Sequence, residues 1–96
     1  MPHTLAILKA ADFTTWKSNY DSAESVAARK AAGEKSYMIM QTAFDPNKFA
    51  LLNEWEDLGK LSEFIQSDSL RKMQSESGVI GEPEVFVFGK VEKGSV

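Results

Sequence analysis

FALLNEWE, residues 49–56, is the stretch from which the rest of the chain can be placed. Successive residues of a strand point to opposite faces of a sheet. Phe49, Leu51, Asn53 and Trp55 therefore share one face, and Ala50, Leu52, Glu54 and Glu56 share the other. Both faces carry apolar residues, the pattern of a strand covered on two sides. Asn53 is the polar exception in its interior, and Asp57 directly after the run is a helix N-cap.

Upstream, KSYMIMQTA at 35–43 reads as a second strand, with Tyr37, Ile39 and Gln41 on one face and Met38, Met40 and Thr42 on the other. DPNK at 45–48 has Asp and Pro in the first two positions of a type I turn, which makes the two strands an antiparallel hairpin. HTLAILKA at 3–10 is a further strand. Asp12 then caps a helix in which Phe13, Trp16, Tyr20, Ala23, Ala27 and Ala31 form one aromatic-then-alanine stripe, ended by Gly33. Lys17, Ser18, Ser22, Ser25 and Arg29 fall off that stripe, on the solvent side. A helix held close by alanines and away by aromatics leaves a cleft beneath it.

Downstream, Asp57 opens a helix with Leu58, Leu61, Phe64 and Ile65 facing inward. Ser67 and Asp68 restart a short helix carrying Leu70 and Met73, which Gly78 ends. GVIGEP at 78–83 is a connector, and Pro83 returns the chain to extended structure. EVFVFGKV at 84–91 is the last strand, Val85 and Val87 opposing Phe86 and Phe88, and the tail EKGSV frays. The order is βαββαβ, an α+β ferredoxin-like arrangement in one domain spanning 1–96, with an antiparallel sheet and helices on one face.

Two helices cover one sheet face only. The other keeps several large apolar side chains, on the order of several hundred Å², near the limit for a monomer. A second copy of the chain, sheet against sheet, is the economical cover. The net charge of −3 gives no electrostatic reason to bind nucleic acid. The absence of cysteine excludes disulfides and thiolate sites, and no metal set is legible. No apolar run approaches the ~20 residues of a membrane span, and MPHTLAIL reads as too short for a signal sequence, so the expectation is a cytoplasmic protein.

DFTTWK at the first helix, AAGEKSYMIMQTAFDPNKFALLNEW across the hairpin, LSEFIQSDSLRKM and GVIGEPEVFVF together resemble the dimeric α/β-barrel proteins of the antibiotic biosynthesis monooxygenase type. The resemblance runs from about residue 4 to 91 and implies a homodimeric barrel. Its members include cofactor-independent oxygenases of aromatic compounds, haem-degrading enzymes and proteins with no known activity. The haem-degrading members resemble NEWEDLGKLSEFIQSDSLRKMQ, with Trp55 at their pocket tryptophan, but their ligand histidine falls at about Gln74, and an amide is a poor iron ligand. Related oxygenases often have a histidine where Phe64 stands. No cofactor is therefore expected.

In the oxygenase scheme that the resemblance implies, the ligand is a phenol or hydroquinone. Asn53 hydrogen-bonds its oxygen, Tyr20 or Tyr37 relays a proton, and Trp55, Trp16, Phe64 and Phe13 form the aromatic walls. An ordinary tyrosine, with a pKa of ~10, donates a hydrogen bond at neutral pH and does not act as a base. The plain alternative gives Asn53 a structural bond to backbone or to the Tyr20 hydroxyl, and makes the aromatics core. His3 is either a sheet-edge residue or a pocket base. Glu54 and Glu56 are a metal-binding or acid pair or, by the plain alternative, a solvated strand end or a pairing across the dimer, and Arg29 either anchors an acidic ligand or is solvated. Two classes of function follow: a cofactor-independent monooxygenase, or a non-catalytic binding or stress-type module.

Overall fold

A computed structural model describes residues 1–96, the Ser69 side chain excepted. The elements run β1 (His3–Lys9), α1 (Phe13–Tyr20), α2 (Ala23–Ala31), β2 (Glu34–Thr42), β3 (Asp45–Trp55), α3 (Leu58–Ile65), α4 (Asp68–Glu76) and β4 (Glu84–Phe88). The strands form one antiparallel sheet in the order β2-β3-β1-β4, the ferredoxin-like topology. β3 lies inside the sheet, and its residues Phe49, Leu51, Asn53 and Trp55 are all buried on the helix side.

The helix face is completed by Thr4, Ala6 and Leu8 of β1, which pair with Asn53, Leu51 and Phe49. Its core divides in two. Leu8, Ala10, Trp16, Phe49 and Leu51 form one cluster under α1, and Ala32, Trp55 and Leu61 form another toward α3. The Thr4–Asn53 pair lies on this face between them.

Local chemistry sets the helix ends. Asp12, Ser22, Asp57 and Ser67 each accept a hydrogen bond from a backbone N–H in the first turn that follows. Gly33 takes φ of 90°, a left-handed turn closed by the Glu56 N–H donating to the Gly33 carbonyl. Among the described residues no helix is long and apolar enough to cross a membrane.

The structure corrects the sequence reading in several places. The first helix is two helices, because Ser22 caps a new one and resets the phase. Ala23, Ala27 and Ala31 are consequently exposed, while Ser25 and Arg29 are buried. The hairpin turns at Ala43–Phe44, and DPNK begins β3 as an irregularity in register between Gln41 and Thr42. The Thr42 hydroxyl reaches the Asp45 and Lys48 carbonyls, fixing the tip. Leu58 is exposed, so Leu61, Phe64 and Ile65 alone form the inner face of α3. β4 ends at Phe88, and the connector forms a bridge between Val79 and Ala10.

Leu5, Ile7, Met38, Met40, Leu52, Phe86 and Phe88 occupy the other face, as their pairing with one another requires. The face is largely open: Met38 is 56% exposed and Phe86 47%, while Leu5, Ile7 and Leu52 are half-buried. Lys9 and Lys48 stand at one end of that face and His3 and Glu54 at the other, the latter two 3.4 Å apart.

Candidate functional site

Between the two core clusters the helices stand away from the sheet and leave a cavity of about 270 Å³. Trp16, Trp55 and Phe64 supply aromatic walls, and Leu51, Leu61 and Met73 supply aliphatic ones. The space beside Trp55 is thus open. Tyr20, Asn53 and Arg29 stand on its inner wall beside the buried Thr4, Ser25 and Ser77, while Glu24 and Glu76 line it from exposed positions.

Each inner-wall residue is positioned by its element. Asn53 projects from β3 and is 5% exposed; its amide donates to the Tyr20 hydroxyl oxygen at 2.9 Å. Tyr20 is the last residue of α1, where carbonyls lack helical partners. Arg29, in the last turn of α2, donates from Nη2 to the Tyr20 carbonyl at 2.8 Å. Its guanidinium lies 3.6 Å from the centre of the Tyr20 ring and makes a 3.0 Å ion pair with Glu34 at the start of β2. Trp16 stacks on Tyr20 with ring centres 4.8 Å apart, and Tyr37 meets it edge-on at 5.2 Å. Trp55 donates its indole N–H to the Thr4 hydroxyl at 2.9 Å.

The electrostatics follow from burial. Loss of water pushes the Tyr20 phenol up to about 12, with the Glu34 charge adding to the rise and Arg29 and Asn53 opposing it. Tyr20 is therefore neutral at physiological pH and its hydrogen is available to donate. Burial also raises the Glu34 carboxyl above its ordinary value, against the pull of Arg29 and a contribution from the Asn53 amide.

The structure brings together Asn53, Tyr20, Trp16, Trp55 and Phe64 around one space. Phe13 packs behind them, on Trp16 and Phe49, without lining the cavity. Tyr37 is 45% exposed and backs Tyr20 from the outside. His3 sits on a central strand, on the uncovered face, away from the cavity. Glu34 is absent from the site read from sequence, and Arg29, for which anchoring an acidic ligand is the lesser alternative to a solvated position, is only 6% exposed. A basic residue in the last helical turn, then Gly33, then an acid, is the local signal that brings the pair together. No group of three or more metal-ligating acids or histidines occurs among the described residues. Gln74 lines the cavity, but its amide and the small volume do not fit a haem.

No family model and no curated protein matches the chain. Solved structures do. A candidate antibiotic biosynthesis monooxygenase from Deinococcus radiodurans superposes with a TM-score of 0.72 at 14% identity, covering 100% of this chain and 98% of its own. One from Nitrosomonas europaea gives 0.69 at 14%, covering 96% of this chain and 100% of its own. A conserved protein from Methanosarcina mazei gives 0.71 at 19%, covering 94% and 92%. The chain has the fold of antibiotic biosynthesis monooxygenase-like proteins. At these identities the likeness extends to the fold alone, and the chemistry has to be argued from the residues of this chain.

Proposed function

We propose that two copies of this chain pack sheet to sheet, and that each cavity takes a small phenol or hydroquinone and supports its oxidation by dioxygen without a cofactor. One observation carries the reading: an open, aromatic-walled cavity with a buried phenol–amide pair in its wall. Because the Asn53 amide donates to the Tyr20 oxygen, the Tyr20 hydrogen is left for a ligand oxygen. Asn53 acts through Tyr20 by fixing that direction, and Tyr37 supports the ring from behind. Trp16, Trp55 and Phe64 stack on the ligand ring, with Phe13 buttressing Trp16. The substrate is its own reductant: a hydroquinone and dioxygen give a hydroxyquinone and water, with one oxygen atom entering each product. The hydrogen bond to the ring oxygen stabilises the anion that passes an electron to dioxygen, in a water-poor space where that bond is strongest.

The same fold supports a binding module. Tyr20 at about 12 is no base at neutral pH, and His3 lies across the sheet, which favours a cavity that holds a ligand without turning it over. Oxygen consumption on a panel of hydroquinones separates the two. Turnover by the wild type that falls about 100-fold or more in Asn53→Ala supports the oxygenase. Saturable ligand binding with no oxygen uptake supports the module.

For the dimer, the uncovered face is self-complementary. A two-fold rotation lays the Lys9 and Lys48 end of one sheet over the Glu54 end of its twin, with Leu5, Leu52 and Phe86 between.

A further inference from the structure

Arg29 borders two spaces, the central cavity and a hollow at the outer edge of β2, whereas Glu34 borders only the outer one. The ion pair therefore stands across the wall with its positive end toward the cavity. Arg29 Nε donates to the Ser25 carbonyl, Nη1 to Glu34 and Nη2 to the Tyr20 carbonyl. A guanidinium has five N–H groups, so one hydrogen on Nη2 has no acceptor among the described residues. The acids on the cavity, Glu24 and Glu76, are exposed. Around the guanidinium, Tyr20 is held protonated by burial, Tyr37 lies 5.7 Å off, and Lys17 lies beyond Tyr37. The inner end thus offers hydrogen-bond donors beside a cation.

A buried ion pair is a poor way to gain stability, since well-packed apolar residues often serve as well or better. Its placement at an open cavity gives it a use. We infer that this inner pole holds an ionised oxygen of the ligand, so that the cavity selects phenols by acidity as well as by ring shape. Arg29 is the specificity-determining residue, and Glu34 fixes its orientation. The inference rests on the cavity taking a phenol, as proposed above.

Binding of 4-nitrophenol, whose neutral and ionised forms differ in absorbance, tests it beside nitrobenzene as an uncharged ring of similar size. The anion is expected to bind about tenfold more tightly than the neutral phenol, so that its apparent pKa falls by about one on the protein. Glu34→Gln, which leaves Arg29 without its countercharge, strengthens the preference. The double variant Arg29→Met with Glu34→Gln avoids stranding a buried charge; it abolishes the preference while nitrobenzene binding persists. Equal binding of both forms by the wild type, or a preference that survives the double variant, overturns the inference but leaves the pocket. Failure of either compound to bind overturns the pocket reading with it.

Discussion

Thr4 and Asn53 lie side by side on the helix face of the sheet, and Leu5 and Leu52 lie side by side one residue along on the other. Each member of the first pair has a side-chain partner: Thr4 accepts from Trp55, and Asn53 donates to Tyr20. The second pair faces the other way, half-buried among the exposed Met38 and Phe86. A one-residue step along β1 and β3 therefore separates a surface the chain finishes itself from one it leaves unfinished. Polar groups occur in the middle of the finished face because they can be paired there. The middle of the unfinished face is apolar, and its charges lie toward the ends, the arrangement of an interface core and rim.

The strongest way to break this comparison is to place a charge in the middle of the apolar face. Leu52→Lys is expected to cost the proposed dimer at least ~4 kcal/mol, on the order of a thousandfold in dissociation, through an unpaired buried charge. Sedimentation should then show monomer while the far-ultraviolet spectrum stays folded; a dimer that tolerates lysine there refutes the sheet-to-sheet contact.

Two phenylalanines sharpen it next. Phe49→Ala removes a fully buried side chain from the finished face and should cost about 3–5 kcal/mol at any protein concentration. Phe86→Ala should instead lower the melting temperature mainly in the dimer, so its effect shrinks as the protein is diluted. Identical concentration dependence for the two would erase the distinction between the faces.

A smaller effect comes from Tyr20. Its folded pKa is raised, so the folded state keeps the proton after the unfolded chain has lost it. Stability from this group is complete below the ordinary value of 10.0 and is lost as pH rises toward about 12. The loss amounts to about 2 kcal/mol, and Tyr20→Phe should remove that part of the alkaline slope. Urea titrations of both proteins between these pH values check it. Least is expected of Thr4→Val, which strands the Trp55 indole N–H at about 1 kcal/mol. An unchanged urea midpoint would remove that bond from the account.

Much of the fold was legible because it rests on strong local signals. The double-sided apolar pattern of β3 and the caps at Asp12, Asp57 and Ser67 are where the sequence reading has them. The Asn53–Tyr20 contact was readable as one of two alternatives, since a buried amide needs a partner and Tyr20 lies on the adjoining helix face. The break between α1 and α2 was hidden because Ala23 continues the spacing from Tyr20, and alanine suits either side of a helix. The hairpin tip was misplaced because Asp45–Pro46 is a stronger turn signal than Ala43–Phe44, whose turn is held by Thr42 side-chain bonds. Glu34 escaped, and for Arg29 a solvated position outranks a ligand anchor, for a related reason: with the wrong helix phase a buried arginine falls on the solvent side.

Sedimentation equilibrium of the unmodified chain at micromolar concentration tests the division of the two faces most directly. A particle of twice the 10.7 kDa chain mass is expected. A homogeneous species of 10.7 kDa would mean that the apolar face needs no twin, and the contrast between finished and unfinished surfaces would fail.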